Sequence, residues 1–223
     1  MKKIGYWIFG ILTAGLIVLT AYHEIQIQNL KSKHDVEYEK YSYPYDCMKE
    51  AELNYLESKT ELVKEVQNYI ENVASTSNLR GYAIVDECEK YNIDICFVLA
   101  QGEIESHFGT KGLGGKFNNV FNINVHDKVR NAQTMNKNYI YTYPNESIEP
   151  YLKLLVSKYL VDKTELDLLN NYVDINGLRY ASSETYEEAL SSKYKSIVAT
   201  TNIKYLQEQM HNYAIKCNRI WVK

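Results

Sequence analysis

Apolar positions along the middle of this chain recur at helical spacing. Leu62, Val66, Tyr69 and Val73 fall at three- and four-residue steps with Glu and Lys between them, which predicts an amphipathic helix over 48–73. Ser75-Thr76-Ser77-Asn78 interrupts the pattern, and a second helix is predicted over 79–91 with Ala83, Ile84 and Cys88 on one face. Asn92-Ile93-Asp94 reads as a turn, and Asp94 has the side chain of an N-cap. The next helix, 95–106, carries Ile95, Phe97, Val98, Leu99 and Ala100. It is apolar nearly all round, the pattern of a helix at the centre of a core. Four glycines in the seven residues from Gly109 to Gly115 then end it.

From Phe117 to Ile140 the period changes. Val120-Phe121-Asn122-Ile123-Asn124-Val125 and Tyr139-Ile140-Tyr141-Thr142-Tyr143 alternate and carry β-branched residues, predicting a small antiparallel β-lobe. Helical spacing returns after Pro144-Asn145-Glu146-Ser147, with Ser147 as N-cap and Pro150 in the first turn, where proline is tolerated. Leu152, Leu155, Val156 and Tyr159 form the apolar face of that helix, and two more helices are predicted near 184–200 and 202–215.

The N-terminal pattern is of another kind. Lys2-Lys3 precede nineteen uncharged residues, Ile4 to Tyr22. As a helix that run spans roughly 28 Å, close to the hydrocarbon thickness of a bilayer. Tyr6, Trp7 and Tyr22 sit where interfacial aromatic rings settle, and the two lysines favour a cytoplasmic N-terminus. The expectation is one uncleaved transmembrane helix over 1–22, a juxtamembrane stalk over 23–46, and a domain over 47–223 outside the cytoplasm. A cleaved signal peptide is the rival, disfavoured by the length of the run and the poor cleavage site Leu19-Thr20-Ala21.

Composition narrows the function. The 223 residues carry a net charge of −3 with no basic block, which disfavours a nucleic-acid partner. Twenty-one tyrosines supply rings with polar tips, suited to carbohydrate clefts and wet surfaces as well as to core packing. Cys47, Cys88, Cys96 and Cys217 leave two readings open: disulfides, with Cys88–Cys96 and Cys47–Cys217 as one pairing, or free buried thiols. No Cys or His spacing fits a zinc site, and no metal or other cofactor is expected.

The chemistry concentrates at Glu105. It ends the apolar helix just before the glycine-rich turn, which places one partly buried acid at the lip of a cleft. Such an acid stays protonated near neutral pH and can donate to a leaving oxygen, the first step of glycan hydrolysis. Phe97, Gln101 and Glu105 share one helix face, whereas Glu103 lies about 200° around the helix and cannot serve the same substrate. His107 and His126 have no serine or cysteine partner at a nucleophile's spacing. Tyr139, Tyr141 and Tyr143 alternate, so a strand would put their rings on one face for sugar to stack on.

Several of these segments resemble one family. Leu99-Ala100-Gln101-Gly102-Glu103-Ile104-Glu105-Ser106-His107-Phe108-Gly109 is similar to the L-A-Q-x-x-x-E-S-x-[WF]-G motif of the bacterial and phage glucosaminidases, the autolysin-type enzymes that cut peptidoglycan. Asn118-Asn119-Val120-Phe121-Asn122-Ile123 resembles their N-N-[LV]-F-x-[IV] segment, Tyr143 to Tyr151 their Glu-Ser helix start, and Tyr180-Ala181-Ser182 their Tyr-Ala-Thr motif. The ordered matches cover roughly 85 to 200. The resemblance implies an α+β, mostly helical, lysozyme-like domain and cleavage of the β-1,4 bond after N-acetylglucosamine. It implies Glu105 as catalytic acid and Tyr180 as active-site tyrosine. Gln101, Phe108, Asn119, Phe121 and Tyr143 join Tyr180 as candidate substrate-binding residues. His107 stands where the family usually has glycine, and Ser183 where it often has Asp, departures that bear on substrate grip.

A second carboxylate is required by most glycosidases, at about 5–5.5 Å for retention and 6.5–9.5 Å for inversion. Asp127, on the expected β-lobe, is the candidate; Glu146 and Glu149 are the alternatives, and the substrate's own acetamido group can replace a protein nucleophile. The expected partners are peptidoglycan strands, the membrane, and components of an envelope or phage assembly. Two further readings stay open: a lytic transglycosylase on the same fold, and an inactive glycan-binding or structural protein.

Overall fold

The computed structural model describes residues 24–29, 31–32, 48–124, 133–135 and 138–217. The chain divides into two compact units, Met1–Ala51 and Glu52–Lys223. In the first, 24–29 and 31–32 are helical and exposed, Ile25 and Ile27 included.

The second unit is built around one buried helix. Helix α1 covers 48–73, and its part from 52 onward belongs to this unit. Leu62, Val66 and Ile70 are its buried stripe. Helix α2 (Gly81–Tyr91) starts hard against it. A Cβ at Gly81 would lie 2.8 Å from both the Gln67 nitrogen and the Val63 oxygen of α1, so only glycine permits this approach. Asn92, in the left-handed region, ends α2, and Asp94 caps α3 (Ile95–Ser106) by accepting from the Cys96 N–H at 2.8 Å.

Residues 95–102 of α3 are all buried, and the helix packs on α2, α4 (Gly112–Phe117), α7 (Tyr186–Thr200) and α8 (Ile203–Lys216). The central placement read from its composition is the placement observed. It ends through His107 and Phe108, both at positive φ, into Gly109. Two short strands follow, β1 (Gln133–Met135) and β2 (Asn138–Ile140), antiparallel with Gln133 opposite Ile140. A 3₁₀ turn (Pro144–Ser147), α5 (Ile148–Leu154), a π-helical turn (Leu155–Tyr159) and α6 (Glu165–Leu168) lead to α7 and α8.

Two expectations are corrected. The fold is mostly helical as expected, but the α+β class gives way, with little strand among the described residues. The alternating run from Val120 does not extend: Asn119 bonds both the N–H and the C=O of Ile123, Asn122 takes a left-handed turn, and Val120 and Phe121 are both buried. The strand pattern there is outcompeted by side-chain-to-backbone bonding. β2 also stops at Ile140, so Tyr139 is buried while Tyr143 is exposed, and the three tyrosines do not form one ring face.

The single-pass anchor, with the extracytoplasmic placement that rested on it, is the second correction. Among the described residues no helix is long and apolar enough to cross a membrane. The stretch 4–22 on which that helix was placed lies outside the described residues.

The three described cysteines take the thiol form. Cys88 and Cys96 are free and buried, and Cys217 is free, its thiol donating to the Tyr213 carbonyl. Burial pushes Cys88 well up and Cys96 to about 12, which removes both from thiolate chemistry. Cys47 lies outside the described residues.

Candidate active site

The last turn of α3 sets the site. Ser106 points inward: its hydroxyl donates to the Val120 carbonyl at 2.7 Å and accepts from the Gly109 N–H at 2.8 Å. That ties the helix end to the segment after α4. Gly114 lets α4 close over this joint, since a Cβ there would meet the Ser106 Cβ at 2.4 Å. With Ser106 inward, Glu105 is turned toward a recess.

Glu105 is half-buried, and two neutral donors hold its carboxylate. The Tyr186 hydroxyl, at the start of α7, donates to Oε1 at 2.5 Å. The Asn122 amide donates to Oε2 at 3.1 Å and to the Glu105 backbone oxygen at 2.6 Å. Among the described residues no cation pairs with it. Burial therefore pushes its carboxyl above the usual glutamate range, and the two hydrogen bonds only pull part of that back.

The recess has a volume of about 370 Å³ and is lined by Glu105, Asn122, Asn124, Tyr159, Tyr180, Ala181, Ser182, Ser183 and Tyr186. That is within the range of small-molecule sites, about 300–1,000 Å³. Its aromatic wall is interlocked. Tyr180 stacks on Tyr172 at 4.5 Å between ring centres and meets Tyr159 edge-on at 5.5 Å. The Tyr180 hydroxyl donates to the Phe121 carbonyl at 3.0 Å, and Phe121 stacks on Tyr151 at 3.9 Å. Burial and surrounding acidic groups raise the Tyr186 hydroxyl far above its ordinary value, so it acts only as a protonated donor.

Of the residues singled out from the sequence, Glu105 and Tyr180 line the recess. Gln101, Phe108, Asn119 and Phe121 are completely or almost completely buried and do not line it. Tyr143 is 64% exposed and does not line it. Asp127 lies outside the described residues. Among the described lining residues Glu105 is the only carboxylate. Glu149 is committed elsewhere, bound to Lys90 at 2.8 Å and Lys153 at 3.1 Å on the surface. Glu146 accepts from the Thr142 N–H, as a helix-start acid does. Glu103 accepts from Tyr69 and pairs with Lys193, so it ties α1, α3 and α7 together.

Asn122 and Tyr186 were not among the sequence candidates. Asn122 had a signal, since an asparagine in a turn region readily takes positive φ and points its amide inward. Tyr186 had none, because it is 81 residues from Glu105 and only the packing of α7 on α3 joins them.

A larger recess of about 540 Å³ opens at the other end of α3. Its polar groups serve the fold. Asp94 caps α3 and binds Lys204, Glu165 accepts from the Asp94 N–H, and Gln207 accepts from the Ile95 N–H. Among the described residues no group of His, Cys, Asp or Glu is arranged to hold a metal ion.

The family model for mannosyl-glycoprotein endo-beta-N-acetylglucosaminidase, the glucosaminidase domain, matches residues 81–223. No curated protein matches the chain. The matched span holds the whole recess, and at the level of the family it supports peptidoglycan hydrolysis by a glycoside hydrolase.

Proposed function

The chain belongs to the glucosaminidase family, and from that premise we propose that it hydrolyses the β-1,4 bond after N-acetylglucosamine in peptidoglycan, with Glu105 as general acid. One observation carries the reading: a half-buried carboxyl with raised proton affinity, and no cation paired to it among the described residues, opens on a sugar-sized recess. The protonated Glu105 gives its proton to the glycosidic oxygen as that bond breaks. Tyr186 and Asn122 then each donate to one oxygen of the new carboxylate, so the charge forms where donors already stand. Tyr180, held by Tyr172 and the Phe121 carbonyl, offers a fixed ring edge to the sugar. Phe121, through its carbonyl, and Gln101, through Tyr172, support this wall from behind.

Asp127 is proposed as the second carboxylate. It follows the recess residue Asn124 by three positions, a tether of at most about 11 Å. Glycosidases use carboxyl separations of roughly 5–10 Å, which a tether of that length permits.

Purified peptidoglycan incubated with the full chain tests the reading, with product masses as the readout. Fragments ending in reducing N-acetylglucosamine are the expected result. Anhydro-sugar ends would make the protein a lytic transglycosylase. Sedimentation with sacculi without any release would make it a glycan-binding protein.

A further inference from the structure

Five of the nine residues lining the recess, Tyr180 to Ser183 and Tyr186, lie close together in sequence. Among the described residues, 169–185 form no helix or strand, only the isolated bridge Val173–Arg179. A wall built on irregular chain keeps its shape only if other bonds hold it. One carboxylate collects those bonds. Glu187, in the first turn of α7, has a side chain 14% exposed and does not line the recess. Its Oε1 accepts the Tyr172 N–H at 3.3 Å, and its Oε2 accepts from Arg179 Nη2 at 2.5 Å. The same nitrogen donates its other proton to the Ser183 carbonyl at 2.9 Å.

Two tyrosines of the recess are tied together through this clamp. The Tyr180 N–H donates to the Tyr172 carbonyl at 2.9 Å, and the two rings stack. Tyr186 is the residue next to Glu187, and its N–H donates to the Ser183 carbonyl at 3.4 Å. Holding the Tyr172 backbone and the Ser183 carbonyl against α7 therefore holds Tyr180 against Tyr186, with 5.8 Å between their ring centres. The bond to Arg179 is charge-assisted, and the helix dipole favours an anion in the first turn of α7. Burial opposes the charge, but the hydrogen bonds outweigh it and hold the Glu187 carboxyl below the usual glutamate range.

We propose that Glu187 is a positioning residue for the sugar: with Arg179 it locks the Tyr180 wall against Tyr186 and so fixes the shape of the recess that the glycan enters. The inference rests on the reading of the recess as the glycan site. It assigns grip and proton transfer to different groups. Leu190, Tyr194 and Ile197 seat α7 in the core whether or not the clamp is present. Cutting the clamp therefore loosens Tyr180 and the 181–183 rim but leaves Glu105 with its two donors, Tyr186 and Asn122.

The test uses Arg179→Met and Glu187→Gln in the intact protein. The first readout is the nuclear Overhauser contact between the Tyr180 and Tyr186 rings, measured without ligand. Both variants are expected to weaken it. The second is the kinetics of fragment release from soluble, peptide-free peptidoglycan strands. KM is expected to rise about tenfold, the worth of one charge-assisted bond, with kcat within about twofold of the parent. Arg179→Lys keeps a charged donor and is expected to change both readouts less. An unchanged ring contact in both variants would overturn the proposal. So would an unchanged KM, or a fall in kcat at constant KM, which is the mark of damage to the proton donor. Loss of fold alone lowers the amount of active protein but moves neither KM nor the ring contact of the folded fraction. If the parent releases no fragments, the functional reading fails, and the ring contact alone decides whether Glu187 holds the wall.

Discussion

Asp94 stands just before α3 and Glu105 in its last turn, roughly 16 Å apart along one buried helix. The N-terminal acid is neutralised from every side. Its Oδ1 accepts the Cys96 N–H, and its Oδ2 takes Lys204 at 2.8 Å and the Tyr194 hydroxyl at 2.9 Å. It also sits at the positive end of the helix dipole. The C-terminal acid receives two neutral donors, faces the negative end of the dipole, and is pushed toward its protonated form. Each end also has its own recess, and the larger lies beside the quieter acid. The difference separates a charge placed to hold the fold from one held with raised proton affinity against the stability of the fold, the one to which the proposed function gives the proton transfer.

The comparison can be broken most severely at the joint behind Glu105. Gly114→Ala would drive a methyl group to 2.4 Å from the Ser106 Cβ and 2.8 Å from the Asn119 oxygen. The expected cost is about 2–3 kcal/mol in urea unfolding. Asp94→Ala, at the other end, removes the cap and strands Lys204, and about 1–2 kcal/mol is expected on the same assay. Glu105→Gln has the smallest effect on stability and the opposite sign. Its carboxyl is raised on folding, so the folded state binds the proton more tightly than the unfolded chain. The penalty is absent below the ordinary value of 4.5 and grows as pH rises through the raised one. Glu105→Gln is therefore expected to leave stability unchanged in acid and to increase it by on the order of 1 kcal/mol at neutral pH. Thermal melts at both pH values check this. A Glu105→Gln loss equal to that of Asp94→Ala would erase the contrast.

How much of this was legible in the sequence follows from how local each feature is. Residues 95–106 announce a central helix because eight consecutive positions at its start carry no charge, and burial of all eight follows. Glu105 is legible because the glycines after it force the chain to turn at once. Its partners are a different matter. Asn122 and Tyr186 reach it only after α4 and α7 have packed on α3, and periodicity carries no record of that packing. The β-lobe was overestimated for a related reason. The alternation of Val120 to Val125 is a local signal, and the Asn119 side chain overrides it with bonds to Ile123 and to the Tyr139 carbonyl. Gln101 was legible as a neighbour of Glu105 on one helix face but not as a group completely removed from solvent, since burial is set by the tyrosines that close over it.

The most direct measurement is peptidoglycan digestion by Glu105→Gln beside Asp94→Asn, each normalised to folded protein by near-UV circular dichroism. The account expects Glu105→Gln to lose about 10²–10⁴-fold of the fragment-release rate, the usual contribution of a general acid. It expects Asp94→Asn to release fragments at nearly the unmodified rate per folded molecule. Undiminished release by folded Glu105→Gln would contradict it.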